Sequence, residues 1–195
     1  MLCFGVLLMT DVNHSKTKPL VTGPFDSLRD YMAAIEDLGQ VLHGSGLDQD
    51  SYEATGFMYR LIDKLGWAEA PAVVFRNIKI NGQWHEGPII ANQYGRWESE
   101  GLAFGVDSTS EEQYITYQNV LSKLEGLATK DKQWKEIQPN EVKRETAPCK
   151  EVVLKEHDIN MLEFPFLQTN PGDAGPYINT GSVILEDPKL GRNVG

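Results

Sequence analysis

The chain has 195 residues, of which 41% are hydrophobic and 24% are charged, a composition typical of a globular protein that can bury a core of its own. Its 28 acidic residues outnumber its 18 basic ones, so that the formal net charge is -10. This charge argues against binding to nucleic acid or to an anionic membrane surface, because both need a cationic face on the protein.

Two cysteines, Cys3 and Cys149, lie far apart and form no Cys-x-x-Cys pattern. Neither a disulfide framework nor a zinc site is therefore predicted. The apolar stretch over residues 1–10 lacks the basic flank of a secretory signal, and it is shorter than the about 20 apolar residues that a membrane-spanning helix needs. We predict a cytoplasmic protein with no membrane anchor.

Two stretches in the first third of the chain show the apolar periodicity of amphipathic helices. Residues 25–39 do so between a capping Asp26 or Ser27 and a terminating Gly39. Residues 52–65 show the same spacing before the next glycine. A helix is predicted in each stretch.

Strand patterns follow these helices. Residues 71–80 are apolar and β-branched and lead into Asn81-Gly82, which predicts a strand entering a tight turn. Residues 88–95 predict a second short strand, and residues 149–154 are a further strand candidate.

A third helix is predicted after Ser108, where Ser110 and Gln113 make a capping box. The polar, lysine-rich residues 128–144 that come after it predict a loop. The apolar stripe of this helix is expected to comprise Tyr114, Tyr117, Val120, Leu121 and Leu124.

The order of these elements is typical of a mixed α/β or α+β protein, and the pattern leaves the choice between the two open. We predict a poorly defined N-terminal extension over residues 1–24, an α/β domain over residues 25–140, and a β-rich segment over residues 141–195. The boundary is placed where the composition becomes polar between two prolines.

The C-terminal segment, residues 170–195, is dense in glycine and proline, and its residues 171–176 can form neither a helix nor a regular strand. A strand is expected over residues 177–187, with Gly181 marking a close approach by another backbone or a ligand. Residues 187–191 predict a hairpin turn, and residues 192–195 would begin the returning strand. Because that returning strand is so short, we expect the chain to be part of a longer protein.

The stretch GDAGPYINTGSVILEDPKLGRNVG, residues 172–195, resembles the UbiD-type decarboxylase family of prenyl-FMN-dependent carboxy-lyases. Members carry a Gly-Asp-x-Gly-x-Tyr-Ile segment, a strand, an Asp-Pro-x-x-Gly turn and then Asn-x-Gly. Three earlier stretches are similar to further motifs of the family in the same order: SLRDYMAAIEDLG (27–39), PAVVFRNIK (71–79) and PIIANQYG (88–95).

The resemblance implies that residues 141–195 begin a split β-barrel that binds flavin, in the N-terminal part of a non-oxidative decarboxylase or carboxylase. Family members use prenylated FMN and a divalent metal, usually Mn2+, with K+ as a candidate additional ion. They remove or add CO2 at aromatic, including phenolic, or α,β-unsaturated carboxylic acids. Decarboxylation leaves a carbanion, and such a cofactor supplies the electron sink that this chemistry needs.

Two residues match positions of the family's binding site. Asn193 matches the metal-ligand asparagine, whose amide oxygen suits a hard cation such as Mn2+; the alternative is an ordinary turn-flanking asparagine. Thr180 matches a strand position beside the cofactor, although threonine is also a good strand former. Asp173 is interpreted as a turn former rather than a catalytic acid, and Arg192 precedes Asn193 and does not replace the family's arginine.

The same resemblance places the catalytic Glu-Arg-Glu set, and the His and Glu that complete the metal site, beyond residue 195. No catalytic residue is therefore assigned, and the chain by itself is expected to be inactive. The expected partners are a small carboxylic acid and, for the full-length protein, further copies of itself. Two alternatives stay open: a flavin-binding module without decarboxylation, and a non-catalytic interaction subunit of a multi-subunit carboxylase.

Overall fold

The computed structural model describes residues 21–106, 113–134, 138, 140–178 and 181–195. Within these ranges the chain folds into a mixture of helices and strands, and an α+β fold is confirmed. The helices α1 to α4 cover Leu28–Asp37, Glu53–Leu65, Trp97–Ala103 and Gln113–Leu127. The strands β1 to β6 cover Val41–Asp48, Ala72–Ile80, Gln83–His85, Ile89–Ala91, Ile184–Asp187 and Gly191–Val194.

The first two predicted helices are confirmed, together with the residues that bound them. Ser27 caps α1, because its hydroxyl oxygen accepts the backbone N–H of Asp30 at 3.2 Å. Gly39 follows α1 with a φ of 71° and Gly66 follows α2 with a φ of 83°. Both glycines adopt the left-handed backbone that ends many helices.

The predicted strand before Asn81-Gly82 is confirmed as β2, and the turn returns the chain as β3. Asn81 and Gly82 have φ values of 51° and 75°, and a two-residue type I′ turn needs positive φ at both positions. Ile80 is paired with Gln83 across the turn, in antiparallel register. The sheet order is β1-β2-β3, with β4 also paired with β2.

Strand β1 and helix α3 have no counterpart in the sequence predictions. β1 contains Gly44 and Gly46, and glycine weakens the strand signal. Position 44 favours glycine for a steric reason, because a β-carbon there would lie 3.0 Å from the ring of Phe75. α3 is only 7 residues long and contains Gly101, so its helical period is too short to recognise.

The strand predicted over residues 149–154 is wrong. Pro148–Lys150 forms a single 3-10 turn, and no strand is assigned to residues 151–154. Val152 is 75% exposed there. The run has the β-branched composition of a strand, but a strand also needs a neighbour to complete its hydrogen bonds, and the described part of the chain provides none.

Helix α4 is confirmed, but its buried face differs from the predicted stripe. Tyr114 and Leu121 are exposed, whereas Thr116 and Val120 are buried. Half-buried Tyr117 packs edge-to-face on Trp97 of α3, with ring centroids 5.3 Å apart. The inward face is therefore set by the contact with α3, and the predicted cap Ser110 lies outside the described residues.

The described residues form two compact units. The first takes them from residues 1–43, 61–74 and 90–137. Its core packs α1 against the start of β2 and the end of α3. Burial raises the pKa of Tyr31 to about 12, so the Tyr31 hydroxyl stays protonated and donates to the carbonyl of Gln93. The buried members of this core are Tyr31, Met32, Ala34, Ile35, Ala72, Val74 and Leu102.

The second unit takes its described residues from 44–60, 75–89 and 138–195. Ile78 is fully buried, and Phe57 packs edge-to-face on Phe75 with ring centroids 5.9 Å apart. The domain boundary between residues 140 and 141 stays a prediction. Among the described helices, none combines the length and hydrophobicity that crossing a membrane requires.

Candidate cofactor-binding segment

The hairpin β5–β6 at the end of the chain confirms the predicted turn. The carboxylate of Asp187 accepts the backbone N–H groups of Lys189 at 2.7 Å and Leu190 at 2.8 Å. Gly191 then takes a φ of 82° and pairs with Asp187 across the turn. Because the aspartate side chain completes the turn's hydrogen bonds locally, the returning strand forms even though it is short.

The same two hydrogen bonds make the turn sensitive to acid. The N–H groups of Leu190 and Lys189 stabilise the carboxylate and lower the pKa of Asp187 from its ordinary value of 3.8. Because the pKa of Asp187 is lower in the folded state than in the unfolded state, the carboxylate stabilises the turn fully at pH values above the unfolded-state pKa. This stabilisation of the turn is lost as the pH falls through the folded-state pKa.

We therefore predict that the Asp187 carboxyl titrates below pH 3.8, the reference value, when its carbon resonance is followed by NMR. The amide resonances of Lys189 and Leu190 should shift with the same midpoint, and the Asp187→Asn variant should show no such midpoint. Titration of Asp187 at or above the reference value would contradict this role for the two N–H groups.

The metal-ligand candidate Asn193 lies on β6, directly opposite Leu185 on β5, and it is exposed. Its neighbour Arg192 is paired across the strands with Glu186, at 3.5 Å between Nη2 and Oε2. Successive strand residues face opposite sides, so Arg192 and Asn193 point away from each other. The second candidate, Thr180, lies outside the described residues.

Asn193 suits a hard cation by its chemistry, because an amide oxygen is a neutral oxygen ligand. A single oxygen does not hold such an ion, and within the described ranges no group of three or more His, Cys, Asp or Glu side chains could bind a metal. This segment of the chain would thus contribute one ligand to a site completed by others. The assignment of Asn193 stays a prediction.

The loop before the hairpin, residues 168–175, is closed by its own side chains, and we call it the Gly-Asp loop. The Asp173 carboxylate accepts the backbone N–H of Asn170 at 3.0 Å, and the Asn170 side chain accepts the N–H of Gly172 at 3.3 Å. The interpretation of Asp173 as a turn former is confirmed.

The strand predicted over residues 177–187 is shorter than expected. β5 begins at Ile184, and Val183 extends the pairing by exchanging backbone hydrogen bonds of 2.7 and 2.9 Å with Gly195. A β-carbon at Gly181 would meet only the Ile178 side chain, at 3.8 Å. The close approach by a backbone that Gly181 was predicted to mark is therefore not found within the described residues.

Similarity to known proteins extends over most of the chain. Residues 140–195 match the family model of the UbiD 3-octaprenyl-4-hydroxybenzoate carboxy-lyase Rift-related domain. A phenolic acid decarboxylase of Sedimentibacter hydroxybenzoicus is 29% identical over 170 residues, which are 85% of this chain and 31% of that protein. The resemblance to UbiD-type decarboxylases is confirmed.

Solved structures of a UbiD-type enzyme have the same fold. The vanillic acid decarboxylase of Sedimentibacter hydroxybenzoicus (ShVdcCD) matches in its open form with TM-scores of 0.66 and 0.63 at 28% identity. Those matches cover 88% of this chain and 33% of the other. The closed form matches with a TM-score of 0.57 at 29% identity, over 84% of this chain and 31% of the other. The chain thus spans about a third of these UbiD-type relatives.

One of the stretches that resemble UbiD motifs, residues 88–95, has a structural role in this chain. Asn92 takes a φ of 57°, and its amide nitrogen donates to the carbonyls of Ala70 at 2.8 Å and Pro71 at 3.1 Å. A β-carbon at Gly95 would come within 2.2 Å of the Asn92 side chain. Asn92 and Gly95 are therefore needed together to hold the start of β2.

Proposed function

We propose that this chain is part of a UbiD-like non-oxidative carboxy-lyase that acts on an aromatic, including phenolic, or an α,β-unsaturated carboxylic acid. The observation that carries the proposal is the similarity to a phenolic acid decarboxylase over 85% of this chain. The cofactors in this proposal are prenylated FMN and Mn2+, with K+ as a candidate additional ion. The protein would act in the cytoplasm.

Prenylated FMN, when bound, would supply the electron sink for the carbanion that loss of CO2 leaves behind. Within this chain, the amide oxygen of Asn193 would bind the metal, and Thr180 would lie beside the cofactor. The described hairpin supports the first role, because it presents Asn193 on an exposed strand position with its side chain away from Arg192.

The residues that would move protons are not assigned to this chain. In this proposal the family's Glu-Arg-Glu set would belong to a part of the protein outside these 195 residues, and the 195-residue chain by itself would show no turnover. The related vanillic acid decarboxylase contains a component named ShVdcD. We accordingly propose that this protein works in an assembly, either of its own copies or with a second component.

The test has three steps. The gene is sequenced beyond the codon of Gly195, the full-length protein that this gene encodes is purified, and it is assayed with vanillate and other phenolic acids. We expect an arginine codon shortly after Asn193, prenylated FMN and Mn2+ in the purified protein, and CO2 release from an aromatic acid. A protein that carries this cofactor and releases CO2 from none of the acids would contradict the proposed reaction.

The two alternatives give different results in the same experiment. A flavin-binding module would bind plain FMN as tightly as prenylated FMN and release no CO2. A non-catalytic subunit would co-purify with a longer homologue and contribute no activity when that homologue is removed. Turnover by the 195-residue chain alone would show that the catalytic set has been misplaced.

A further inference from the structure

Gln49 is a buried polar side chain whose amide nitrogen and amide oxygen are both hydrogen-bonded. It is 4% exposed and lies between β1 and α2. Its Oε1 accepts the backbone N–H of Thr55 at 3.2 Å, and its Nε2 donates to Oγ1 of the same threonine at 2.8 Å. The second Nε2 hydrogen goes to the carbonyl of Gln168 at 2.9 Å, across 119 positions of sequence. These bonds determine the orientation of the amide, because leaving a buried donor unpaired is costly.

The residues on both sides of Gln49 are anchored as well. The carboxylate of Asp48 accepts a hydrogen bond from Lys79 Nζ at 2.9 Å. The carboxylate of Asp50 accepts the backbone N–H groups of Asn81 at 2.7 Å and Gly82 at 2.8 Å, in the turn between β2 and β3. Gln49 therefore projects from a corner of the second unit that the sheet holds in place.

Gln168 extends this constraint into the Gly-Asp loop. Its Nε2 donates to the carbonyl of Asp173 at 3.0 Å and to that of Asn170 at 3.3 Å. The N–H of Asp173 bonds back to the Asn170 carbonyl at 3.0 Å, and the Asp173 carboxylate closes the loop on the N–H of Asn170. The main chain of Gln168 is thus held by Gln49, and its side chain holds the loop.

We infer that Gln49 is a positioning residue for the Gly-Asp loop. Through the carbonyl of Gln168 it sets the place from which the loop starts, and the loop leads directly into the segment that contains Thr180. The consequence for flavin binding rests on the proposed function, whereas the positioning of the loop does not.

The matched variants are Gln49→Met and Thr55→Val. Methionine has a similar length and no hydrogen-bonding amide, so it removes the bond to Gln168 together with both bonds to Thr55. The Thr55→Val change removes only the Oγ1 acceptor of Gln49 Nε2, and it leaves both the bond from the backbone N–H of residue 55 and the Gln168 bond in place. Both variants weaken the start of α2, and only the first one releases the loop.

The first measurement is amide hydrogen exchange at Asn170 and Asp173 in the 195-residue chain. We expect exchange about five to ten times faster in Gln49→Met than in the wild type, since one net hydrogen bond is worth about 1 kcal/mol. In Thr55→Val both amides should exchange at the wild-type rate. Unchanged exchange in Gln49→Met, or an equal acceleration in both variants, would overturn the inference.

The second measurement is the dissociation constant of prenylated FMN from the full-length protein that the gene encodes. It is made at a temperature at which all variants are folded. We expect Gln49→Met to bind the cofactor about five to ten times more weakly than Thr55→Val and the wild type. If wild type and Gln49→Met bind it equally, the loop does not position the cofactor segment. If the wild type binds no flavin, the proposed function fails, and the exchange rates still decide whether Gln49 positions the loop.

Discussion

Replacement of Asn193 by alanine in the full-length protein is expected to reduce its rate of aromatic acid decarboxylation about 100-fold or more. Even residues that only support metal ligands typically change metal affinity or activity by about 10- to 100-fold, and Asn193 is proposed to contact the metal itself. The manganese content of the purified protein should fall together with the activity. Asn193→Asp keeps an oxygen ligand and should retain more manganese than the alanine variant.

The matched control is Asn140→Ala, which removes another exposed asparagine side chain of the same unit. It should keep full activity and manganese content. Since Asn193 is exposed, the free energy of unfolding of its alanine variant should lie within about 0.5 kcal/mol of the wild-type value. A loss of activity would then not come from unfolding. An active Asn193→Ala protein with normal manganese content would show that Asn193 is an ordinary turn-flanking residue.

The largest effect on stability is expected at Gly23. Its N–H donates to the carbonyl of Leu102 at 2.8 Å, and a β-carbon there would lie only 1.9 Å from the carbonyl oxygen of Ala103. Gly105 meets the same contact from the other side, because a β-carbon at that position would lie 2.2 Å from the carbonyl oxygen of Gly23. The obstacles are backbone atoms, so no side chain can rotate away to make room.

We expect Gly23→Ala to lower the free energy of unfolding by about 3 kcal/mol or more, at the upper end of what overpacking usually costs. In thermal unfolding this corresponds to a loss of roughly 6–12 °C in melting temperature for a chain of this size. Urea denaturation followed by circular dichroism measures the change directly.

Gly56→Ala is the matched control, because it adds the same methyl group inside α2, where no described atom outside the helix's own backbone lies within 4 Å of the new atom. Alanine is the better helix former there, and it should stabilise the protein by about 0.5–1 kcal/mol. Equal stability of the Gly23→Ala and Gly56→Ala variants would contradict the close packing of Gly23 on the end of α3.

Several elements could be predicted because their chemistry is local. The cap Ser27, the turn Asn81-Gly82 and the Asp187–Gly191 hairpin each depend on side chains and backbone angles within a few residues. The role of Asp173 as a turn former is of the same kind, since its hydrogen-bond partner Asn170 is three positions away.

Other elements could not be predicted, because neighbours distant in sequence decide them. β1 forms despite Gly44, whose missing side chain leaves room for the ring of Phe75. Residues 149–154 have the composition of a strand and do not form one, because in the described chain no neighbouring strand completes their hydrogen bonds. Composition indicates which secondary structure a segment favours, and pairing with a neighbouring strand decides whether a strand forms.

The order of motifs along the chain was by itself enough to establish the family resemblance and to select Thr180 and Asn193 as candidate site residues. Gln49 carries no signal in sequence, because a lone glutamine before a helix is ordinary, and its partner Gln168 lies 119 positions further on. Only the folded chain brings the two together. A local turn is decided by the residues that form it, whereas a buried amide finds its partners only after the sheet, the helix and the Gly-Asp loop have packed.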